Sequence, residues 1–461
     1  MRAASFSPAF LILALAGCST APAYAPPTPA TPAAFRDIGP WTPAAAEVAP
    51  AGAWWATFQD PVLDGLERRL DAGSADLAAA AARYDQARAL SRQAASGLWP
   101  SLGVDASVQR QRTPANGRFD TTSVTAGAAY ELDLWGRVRN LAGAGRADAQ
   151  ASAADLAGVR LSLQAQLADT YFSLRGADAQ IAVLASTVEA YRQALDLTSR
   201  RQSGGAASAL DTGRAQTQLA ATQAQYEQAV ADRSLLEHAI AVLVGEPAST
   251  FALAAAPGLR DAPATPVGAP SILLQRRPDI AAAERRMAAA NARVGVARAA
   301  WFPSVTLAAT GGYQSSGGEL LTAANHIWAL GPLSAALPLF DGGARKAEVA
   351  RSRAVFDETA AGYRQTVLDA FRQVEDQMVL ANRLAAAQDR QDEAVAAAAR
   401  TSALATTRYR EGAASYLDVV TAQTAELEAR RGALDLRTRR LSASVDLIRA
   451  LGGGWSAPPA A

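Results

Sequence analysis

The chain repeats one sequence pattern at a long interval. The segment at 205–211, Gly-Ala-Ala-Ser-Ala-Leu-Asp, returns at 412–418 as Gly-Ala-Ala-Ser-Tyr-Leu-Asp, a displacement of 418 − 211 = 207 positions. An aromatic-Pro-Ser sequence likewise occurs at 99–101 and again at 302–304. Solenoid repeats have periods of roughly 20–50 residues. A period of this size therefore predicts the duplication of a domain-sized unit, with both copies forming one pseudo-symmetric body.

Each copy contains a segment with a period of two, which predicts a β-hairpin. The apolar positions of the first copy are Leu102, Val104, Ala106 and Val108, then Val124, Ala126, Ala128, Tyr130, Leu132 and Leu134. The opposite face is polar and includes the carboxylates of Asp105, Glu131 and Asp133. We predict hairpins at 100–134 and 303–340, each with one apolar and one polar face, as in the wall of an outer-membrane barrel. Proline residues at 332 and 338 weaken the prediction of the fourth strand.

The remaining segments have a helical period. Apolar residues of the first copy step by 3 and 4 in a heptad seam, which is typical of a coiled coil; these are Ile181, Leu184, Val188, Tyr191, Leu195 and Thr198. The helices predicted in this way lie at about 74–98, 136–203, 208–244, 278–300 and 343–409, and a last helix has seam residues in steps of 3 and 4 from Leu417 to Ile448. In each copy the two short helices together match the long one, so we expect them to stack end to end.

Four amphipathic strands cannot close a barrel alone, because open sheet edges in lipid leave backbone groups unpaired. Two chains would give eight strands with a filled interior, whereas three would give twelve strands around a lumen. The carboxylates on the polar face favour the twelve-strand barrel, because its lumen can hold water. The predicted fold class is mainly α with a transmembrane β-barrel. A duplicated helix–hairpin–long helix–helix unit would trimerise into a 12-strand β-barrel on a 12-helix α-barrel.

The first residues predict an export signal. Arg2 is followed by an apolar run at 10–15 that is too short to span a bilayer. The run leads into Leu-Ala-Gly-Cys at 15–18, and Cys18 is the only cysteine of the chain. This motif resembles the lipobox of bacterial lipoproteins. The resemblance implies cleavage before Cys18 and acylation of Cys18, for example by palmitate. Because Ser19 follows the cysteine, it also implies delivery to the outer membrane. The alternative is a small buried apolar residue at the end of an ordinary signal peptide.

Composition excludes several classes of function. The formal net charge is only +1, so nothing favours nucleic-acid binding or attraction to an anionic membrane. The two histidines, His238 and His326, lack partners at metal-ligand spacing, and no phosphate-binding loop is present. After the signal there is no apolar run long enough for a transmembrane helix. We therefore expect no enzyme activity, no cofactor and no metal.

Five motifs together resemble the outer-membrane factor family, the TolC/OprM-like exit ducts, and in particular its lipoprotein branch that serves resistance-nodulation-division (RND) pumps. They are Leu-Ala-Gly-Cys at 15–18, Leu-Gln-Arg-Arg-Pro-Asp-Ile at 274–280, Leu-Pro-Leu-Phe-Asp-Gly-Gly at 337–343, Tyr-Leu-Asp-Val-Val at 416–420 and Ala-Leu-Gly-Gly-Gly-Trp at 450–455. The resemblance implies a homotrimer with a β-barrel in the outer membrane and an α-barrel that extends into the periplasm. Within the second motif we expect Pro278 and Asp279 to be structural, at a helix N-terminus.

The predicted organisation follows from the repeat and the resemblance. The chain begins with a signal peptide at 1–17 and an acylated Pro/Ala-rich tether at 18–55. The first repeat, at 56–250, has a hairpin at 100–134 and coiled-coil helices at 136–245, and a linker at 251–270 follows it. The second repeat, at 271–455, has a hairpin at 303–340 and coiled-coil helices at 343–452, and the chain ends in a tail at 456–461.

The resemblance also implies a periplasmic aperture at the repeated turns. Its residues would be Asp211, Asp418, Tyr409, Tyr416 and Thr421, and the turn residues that contact an adaptor would be Gly205, Ser208, Gly412 and Ser415. In the family a tyrosine and an arginine of the second turn reach the first-copy aspartate. Here Ala414 takes the place of the arginine, with Arg408 and Arg410 nearby, and Thr421 departs from the family's acidic residue. The alternative is that both aspartates only stabilise helix N-termini.

The function implied is a passive exit duct of a tripartite efflux pump in the outer membrane. Its partners would be a periplasmic adaptor (membrane fusion) protein, an inner-membrane RND-type pump and outer-membrane lipid. The alternatives are the outer-membrane channel of a type I protein secretion system, a periplasmic adaptor lipoprotein and an acyl-anchored coiled-coil scaffold.

Overall fold

The computed structural model describes residues 19–28, 31–32, 34–36, 52–114, 117–263, 276–316 and 320–455. The predicted signal peptide, the acylation site at Cys18 and the predicted tail at 456–461 lie outside these residues. Much of the predicted tether and the second part of the linker also lie outside them.

The order of elements is nearly the same in the two halves of the chain. The first half contains a 3-10 helix at Trp54–Phe58, α1 Pro61–Gly73, α2 Ala75–Ser96, β1 Ser101–Thr113, β2 Gly117–Glu131, α3 Arg137–Ser203 and α4 Ala209–Leu243. The second half contains α5 Pro278–Ala299, β3 Ser304–Ser315, a 3-10 helix at Ala323–Asn325, β4 His326–Ala336, α6 Ala344–Arg410 and α7 Tyr416–Ala450. The six helices predicted from periodicity are confirmed within about two residues at most ends, whereas α1 was not predicted.

The described chain divides into two compact units. One comprises Met1–Pro29, Ala82–Ala154 and Asp279–Thr366, and the other comprises Ala30–Ala81, Asp155–Pro278 and Val367–Ala461. The first contains the strands, so we call it the sheet unit. The second contains the two turns that each join a long helix to the shorter helix after it, so we call it the helical unit. Within the described residues, no helix combines the length and apolarity needed to cross a membrane.

The sheet unit holds one antiparallel sheet in the order β1-β2-β3-β4. Register places Val104 opposite Ala126 and Asp105 opposite Thr125, so apolar residues share one face and polar residues the other. The apolar face is exposed, with Leu102 80% and Trp328 76% accessible. The predicted alternation is therefore confirmed in these strands.

Proline does not remove the fourth strand. Pro332 lies within β4 at an irregularity in the register, where the pairing of β3 with β4 shifts between Leu307 and Ala309. Gly331, before it, has a φ of +110°, and the Gly331–Pro332 peptide bond is cis. A bulge tolerates the missing donor of proline, because no ladder hydrogen bond is required there. Pro338 lies beyond the end of the strand.

Two of the three carboxylates predicted on the polar face bind neighbouring groups of the chain. Glu131 forms a bidentate pair with Arg137, with Nε–Oε1 at 2.7 Å and Nη2–Oε2 at 2.5 Å. Asp133 accepts hydrogen bonds from the backbone nitrogens of Val138 at 3.1 Å and Arg139 at 2.9 Å. It therefore caps α3, where the helix dipole favours an anion. Asp105 and Glu131 lie on the polar face as predicted, whereas Asp133 lies beyond the end of β2.

The start of the predicted tether is extended but packed against α5 of the sheet unit. Thr20 donates a hydrogen bond to the carbonyl of Gly295 at 2.8 Å. Tyr24 donates to Glu284, whose Oε1 lies 2.5 Å from the hydroxyl oxygen. Gly295 is required at this contact, because a Cβ there would lie 2.6 Å from the Cβ of Ala21. Residues 19–28 therefore have a fixed course, which the sequence did not indicate.

The helical unit contains the main apolar core. Trp54 and Trp55 are 1% and 6% exposed, and both pack with Phe58 and the leucines of α1. Asp60 caps α1 by accepting from the backbone nitrogens of Val62 and Leu63. Both tryptophans are therefore core residues of this unit.

The linker is held to the helical unit by a buried ionic network. The Asp178 side chain is 1% exposed and lies 2.9 Å from Arg175 and 2.9 Å from Arg233. The two arginines also donate to the carbonyls of Ala254 at 2.8 Å and Leu253 at 2.6 Å. A buried carboxylate shared by two guanidinium groups costs little only because every charge is paired. The described part of the linker, residues 251–263, is therefore an integral part of this unit.

The ends of the short helices meet in both halves of the helical unit. After α4, a Cβ added to Gly245 would lie 2.1 Å from the carbonyl oxygen of Gly73, beside the start of α2. After α7, a Cβ added to Gly452 would lie 2.1 Å from the carbonyl oxygen of Arg276, beside the start of α5. The helix ends therefore meet at two junctions within this unit, and the end-to-end stacking of the whole helices stays a prediction. Arg277 supports the second junction by donating to the carbonyl of Ala450 at 2.8 Å, consistent with a structural role for this motif.

Candidate functional site at the paired interhelical turns

Two turns with the same backbone join the long helices to the helices that follow. The first turn is residues 204–208 and the second turn is residues 411–415. Gly205 and Gly412 have φ values of +75° and +80°, which L-residues with a side chain disfavour. The following residues donate back to the helix, from Ala206 to the carbonyl of Arg201 and from Ala413 to that of Arg408. Each turn is thus a Schellman ending.

A capping box starts the helix after each turn. Ser208 Oγ accepts from the backbone nitrogen of Asp211 at 3.2 Å, and Asp211 Oδ2 accepts from the backbone nitrogen of Ser208 at 3.2 Å. Ser415 and Asp418 form the same pair at 3.3 and 2.9 Å. Both predicted aspartates therefore stabilise helix N-termini. The alternative role of these aspartates, stabilisation of a helix N-terminus, is thus present at both sites.

The two predicted tyrosines form the core beside the second turn. Tyr409 and Tyr416 are 5% and 3% exposed, and their ring centroids lie 5.4 Å apart at an interplanar angle of 61°. Ala215 and Val419 complete this cluster. Edge-to-face aromatic pairs of this kind are more stable than burial alone would make them. The structure thus brings Tyr409 and Tyr416 together as packing residues.

An arginine of the first copy links the two turns. The guanidinium carbon of Arg201 lies 4.6 Å from the ring centroid of Tyr409, and its Nη1 donates to the Tyr409 carbonyl. The Tyr409 hydroxyl lies 3.4 Å from Thr198 Oγ1 rather than contacting Asp211. Arg408, one of the two arginines near Ala414, donates to the carbonyl of Ala413 in its own turn, at 3.5 Å. Sequence reasoning missed Arg201, although its position 207 residues before Arg408 was a usable signal.

The charges at the turns have clear physical causes. Hydrogen bonds from the side chain and backbone of Ser415 hold the pKa of the Asp418 carboxyl below its usual range, and the nearby charge of Arg408 adds to this. Burial raises the pKa of Tyr416 to about 12, with smaller contributions from Tyr409, Tyr191 and Asp211. At neutral pH the second turn therefore presents an ionised Asp418 on a neutral aromatic support.

The remaining predicted residues lie on the surface. Gly205, Ser208, Gly412 and Ser415 are exposed, and so is Thr421. The Thr421 hydroxyl donates to the carbonyl of Leu417 at 2.9 Å, one turn back along its own helix. The Leu210 and Leu417 side chains beside the turns are 62% and 49% exposed. The turns thus combine small, polar and apolar exposed groups, which suits binding of another protein.

A groove of about 670 Å³ lies between α4 and α7 next to the turns. Its lining includes Tyr191, Leu210, Gln218 and Leu427. Across it, Gln218 Nε2 donates to Thr424 Oγ1 at 3.4 Å. In the described part of the chain, no group of three or more His, Cys, Asp or Glu side chains could hold a metal ion. The site therefore consists of exposed turns and a groove that another molecule could contact, together with the ionised carboxylate of Asp418.

Comparison with known proteins assigns the class. The family described as "Outer membrane efflux protein" matches residues 67–246 and 269–453. The antibiotic efflux pump outer membrane protein ArpC of Pseudomonas putida is 34% identical over 457 residues, covering 96% of this chain and 93% of its own length. The toluene efflux pump outer membrane protein TtgC, also of Pseudomonas putida, has the same identity and coverage.

A solved structure agrees with the sequence comparison. The outer-membrane channel OprN superposes with a TM-score of 0.88 at 32% identity, covering 95% of this chain and 100% of its own. The fold is therefore that of an outer-membrane channel. The chain belongs to the outer membrane efflux protein family.

Proposed function

We propose that this protein is the exit duct of a tripartite efflux pump, assembled as a homotrimer in the outer membrane. The duct conducts small solutes passively, without chemistry, and the pump supplies the energy. The observation that carries this proposal is the sheet, which has an exposed apolar face and, within the described residues, β1 and β4 as its two edges. Such a sheet suits lipid only when another chain pairs with each edge.

Trimerisation satisfies these edges. Three copies pairing β4 of one chain with β1 of the next give twelve strands in a closed barrel, with the apolar faces outward. The polar face, with Asp105, Ser107 and Thr125, then lines a water-filled lumen. We infer in the same way that the repeats at 56–250 and 271–455 alternate around the axis.

Partners of the duct would meet the exposed turns. We infer that Gly205 and Ser208 of the first turn, and Gly412 and Ser415 of the second, contact a periplasmic adaptor protein that bridges to an inner-membrane RND-type pump. Their exposure and their rigid backbone support this, since a preformed surface loses little entropy on binding. A lipid anchor at Cys18 would add to membrane attachment.

We further infer that Asp211, Asp418, Tyr409, Tyr416 and Thr421 surround the aperture. Three-fold symmetry makes Asp418 a ring of three ionised carboxylates, which attracts cations. Tyr409 and Tyr416 act from behind it as packing residues. The relatives ArpC and TtgC are named for antibiotics and toluene, so the solutes of this duct belong to the same broad class of small amphipathic and apolar compounds.

Single-channel recording of the purified protein in planar bilayers tests the proposal. We expect a conducting, cation-preferring channel from a trimer seen by native electrophoresis, with cation preference reduced in Asp418→Asn. The matched control, Asp392→Asn, removes an exposed carboxylate on the long helix α6 and should leave selectivity unchanged. A monomer without conductance would contradict the exit duct, and an unchanged selectivity in Asp418→Asn would contradict the aperture role. Acylation is tested separately by palmitate labelling of wild type and Cys18→Ser.

A further inference from the structure

Four charged residues are clustered at the end of the first hairpin that is remote from the helices. They are Arg110, Arg112, Arg118 and Asp120. Register pairs Arg110 with Asp120 and Arg112 with Arg118. Side chains alternate along a strand, so all four lie on the face that carries Leu102, Val104 and Val108. This is the apolar face of the sheet, so the cluster continues the surface that the proposed function assigns to lipid.

The spacing matches the thickness of a membrane. An outward apolar band about 25 Å tall, crossed by strands tilted at about 40°, needs roughly 33 Å of strand, or about ten residues. Counting from Leu102, the first outward apolar residue of β1, ten residues lead to Arg112. The cluster therefore lies where the apolar core ends and the headgroups of the outer leaflet begin.

The pairing leaves two positive charges without an acidic partner. Arg110 and Asp120 form a bidentate ion pair with both N–O distances at 2.7 Å. Arg112 and Arg118 have no carboxylate within ion-pair distance in the part of the chain that the structure describes, and both are exposed. Like charges directly opposite each other destabilise an antiparallel pair. An anion bound between the two guanidinium groups would remove this cost.

We propose that Arg112 and Arg118 form a binding site for the phosphate group of anionic outer-leaflet lipid. Guanidinium groups bind phosphate oxygens through paired, charge-assisted hydrogen bonds, which ammonium groups cannot match in geometry. Arg110 remains in place through Asp120 and adds a third guanidinium to the rim. This inference rests on the proposed insertion of the sheet in the outer membrane.

The net charge of +1 for the whole chain conceals this site, because acidic residues elsewhere cancel the arginines. The second hairpin has no equivalent among its described residues. The pairing of its two strands ends with Tyr313 opposite His326, whose ring centroids lie 5.5 Å apart. The lipid site therefore belongs to the first hairpin alone, three times per trimer.

The experiment compares lipid binding by the full-length protein and by Arg112→Gln/Arg118→Gln. Each is reconstituted in vesicles of phosphatidylcholine or of equal parts phosphatidylcholine and phosphatidylglycerol, and lipid retained after detergent extraction is quantified by mass spectrometry. Each arginine near an anionic surface contributes about 1 kcal/mol, so we expect the loss of two arginines to reduce retention of anionic lipid roughly thirtyfold. The control, Arg68→Gln/Arg390→Gln, makes the same charge change at helix positions that are 74% and 79% exposed. It should behave as wild type.

Further measurements distinguish a loss of lipid binding from a loss of folding, and lipid phosphate from free phosphate. Arg112→Lys/Arg118→Lys keeps the charge and should lose less binding than the glutamine variant. In phosphatidylcholine alone the glutamine variant should be at least as heat-stable as wild type, because it removes the like-charge pair. Excess inorganic phosphate should not displace the lipid. Displacement by phosphate would overturn the lipid as occupant.

Two results would overturn the inference while leaving the duct in place. One is a glutamine variant that conducts normally and retains anionic lipid like wild type, and the other is an equal loss in the control. If wild type itself neither inserts nor conducts, the proposed function fails and the inference fails with it.

Discussion

The first and second turns share a backbone but differ in what they bury. Positions 202 and 209 of the first copy hold Gln and Ala, both exposed, whereas the matching positions 409 and 416 of the second copy hold buried tyrosines. The glycine, serine and aspartate that shape the backbone are the same in both. Backbone conformation thus follows the repeated residues, and packing follows the two residues that differ.

This difference makes the turns unequal partners. The second turn carries a small aromatic core of its own, while the first turn contributes Arg201 to that core and keeps a polar link, in which Thr212 donates to Gln202 at 2.6 Å. We therefore expect the second turn to be the more stable element, and the first to depend on it. Four predictions test this, beginning with the largest effect.

Removing an aromatic ring should show the difference in stability between the two turns most clearly. Tyr409→Ala should lower the free energy of local opening by about 3–5 kcal/mol, because it removes a ring that is 5% exposed. The matched Gln202→Ala, at an exposed position, should change it by less than about 0.5 kcal/mol. Hydrogen exchange at the first amides of α7 and α4 measures both. Equal losses would contradict the comparison.

Changing the glycines should show what the turns have in common. Gly205→Ala and Gly412→Ala should each cost about 1–2 kcal/mol, because both positions require a left-handed conformation. Neither site has backbone near an added Cβ, so space does not distinguish them. Thermal unfolding of the two variants side by side is the measurement. Gly→Asn should cost less at both positions, and tolerance of alanine at either one would refute the shared strain.

Removing the caps should produce a smaller, symmetric effect. Ser208→Ala and Ser415→Ala each remove a side chain that accepts from the third residue of the helix, at a cost of about 1 kcal/mol. Ser→Asn retains an acceptor and should restore most of the loss. Exchange rates at the first turn of each helix would report it, and a cost confined to one helix would break the symmetry.

Acid should weaken the second turn. The lowered pKa of Asp418 means that its carboxylate stabilises the folded turn above the ordinary aspartate pKa. The unfolded chain binds the proton more readily, so this stabilisation is lost as pH falls through the lowered folded value. Amide protection at the start of α7 should decrease below about pH 4 in wild type. Asp418→Asn should remove this pH dependence, and its persistence in the variant would assign it to another group.

Sequence alone predicted the elements whose signals are local. Glycine, serine and aspartate at the turns specify an ending and a cap within a few residues, and the period of two specifies the faces of the strands. The heptad seam of α3 was also correct in its middle, where Leu184, Tyr191 and Thr198 are buried. At the start of α7 the predicted seam residue Leu417 is 49% exposed, because Tyr416 and Val419 take the buried face.

Sequence did not predict contacts that depend on distant partners. Arg201 is identifiable only once the fold brings it to Tyr409, 208 positions away. Glu67 is completely buried in α1, and burial raises its pKa to about 9, yet its position on the helix resembles an ordinary charged surface residue. In both cases the surroundings of the side chain come from other helices, which local periodicity does not reveal.

The packing of residues 19–28 against α5 has a consequence for the order of events during synthesis. Thr20 and its acceptor Gly295 are 275 positions apart. At about 5–20 residues per second, the N-terminal segment leaves the ribosome roughly 15–50 s before its docking site exists. The segment therefore cannot take up its docked course until the second copy of the unit has been made.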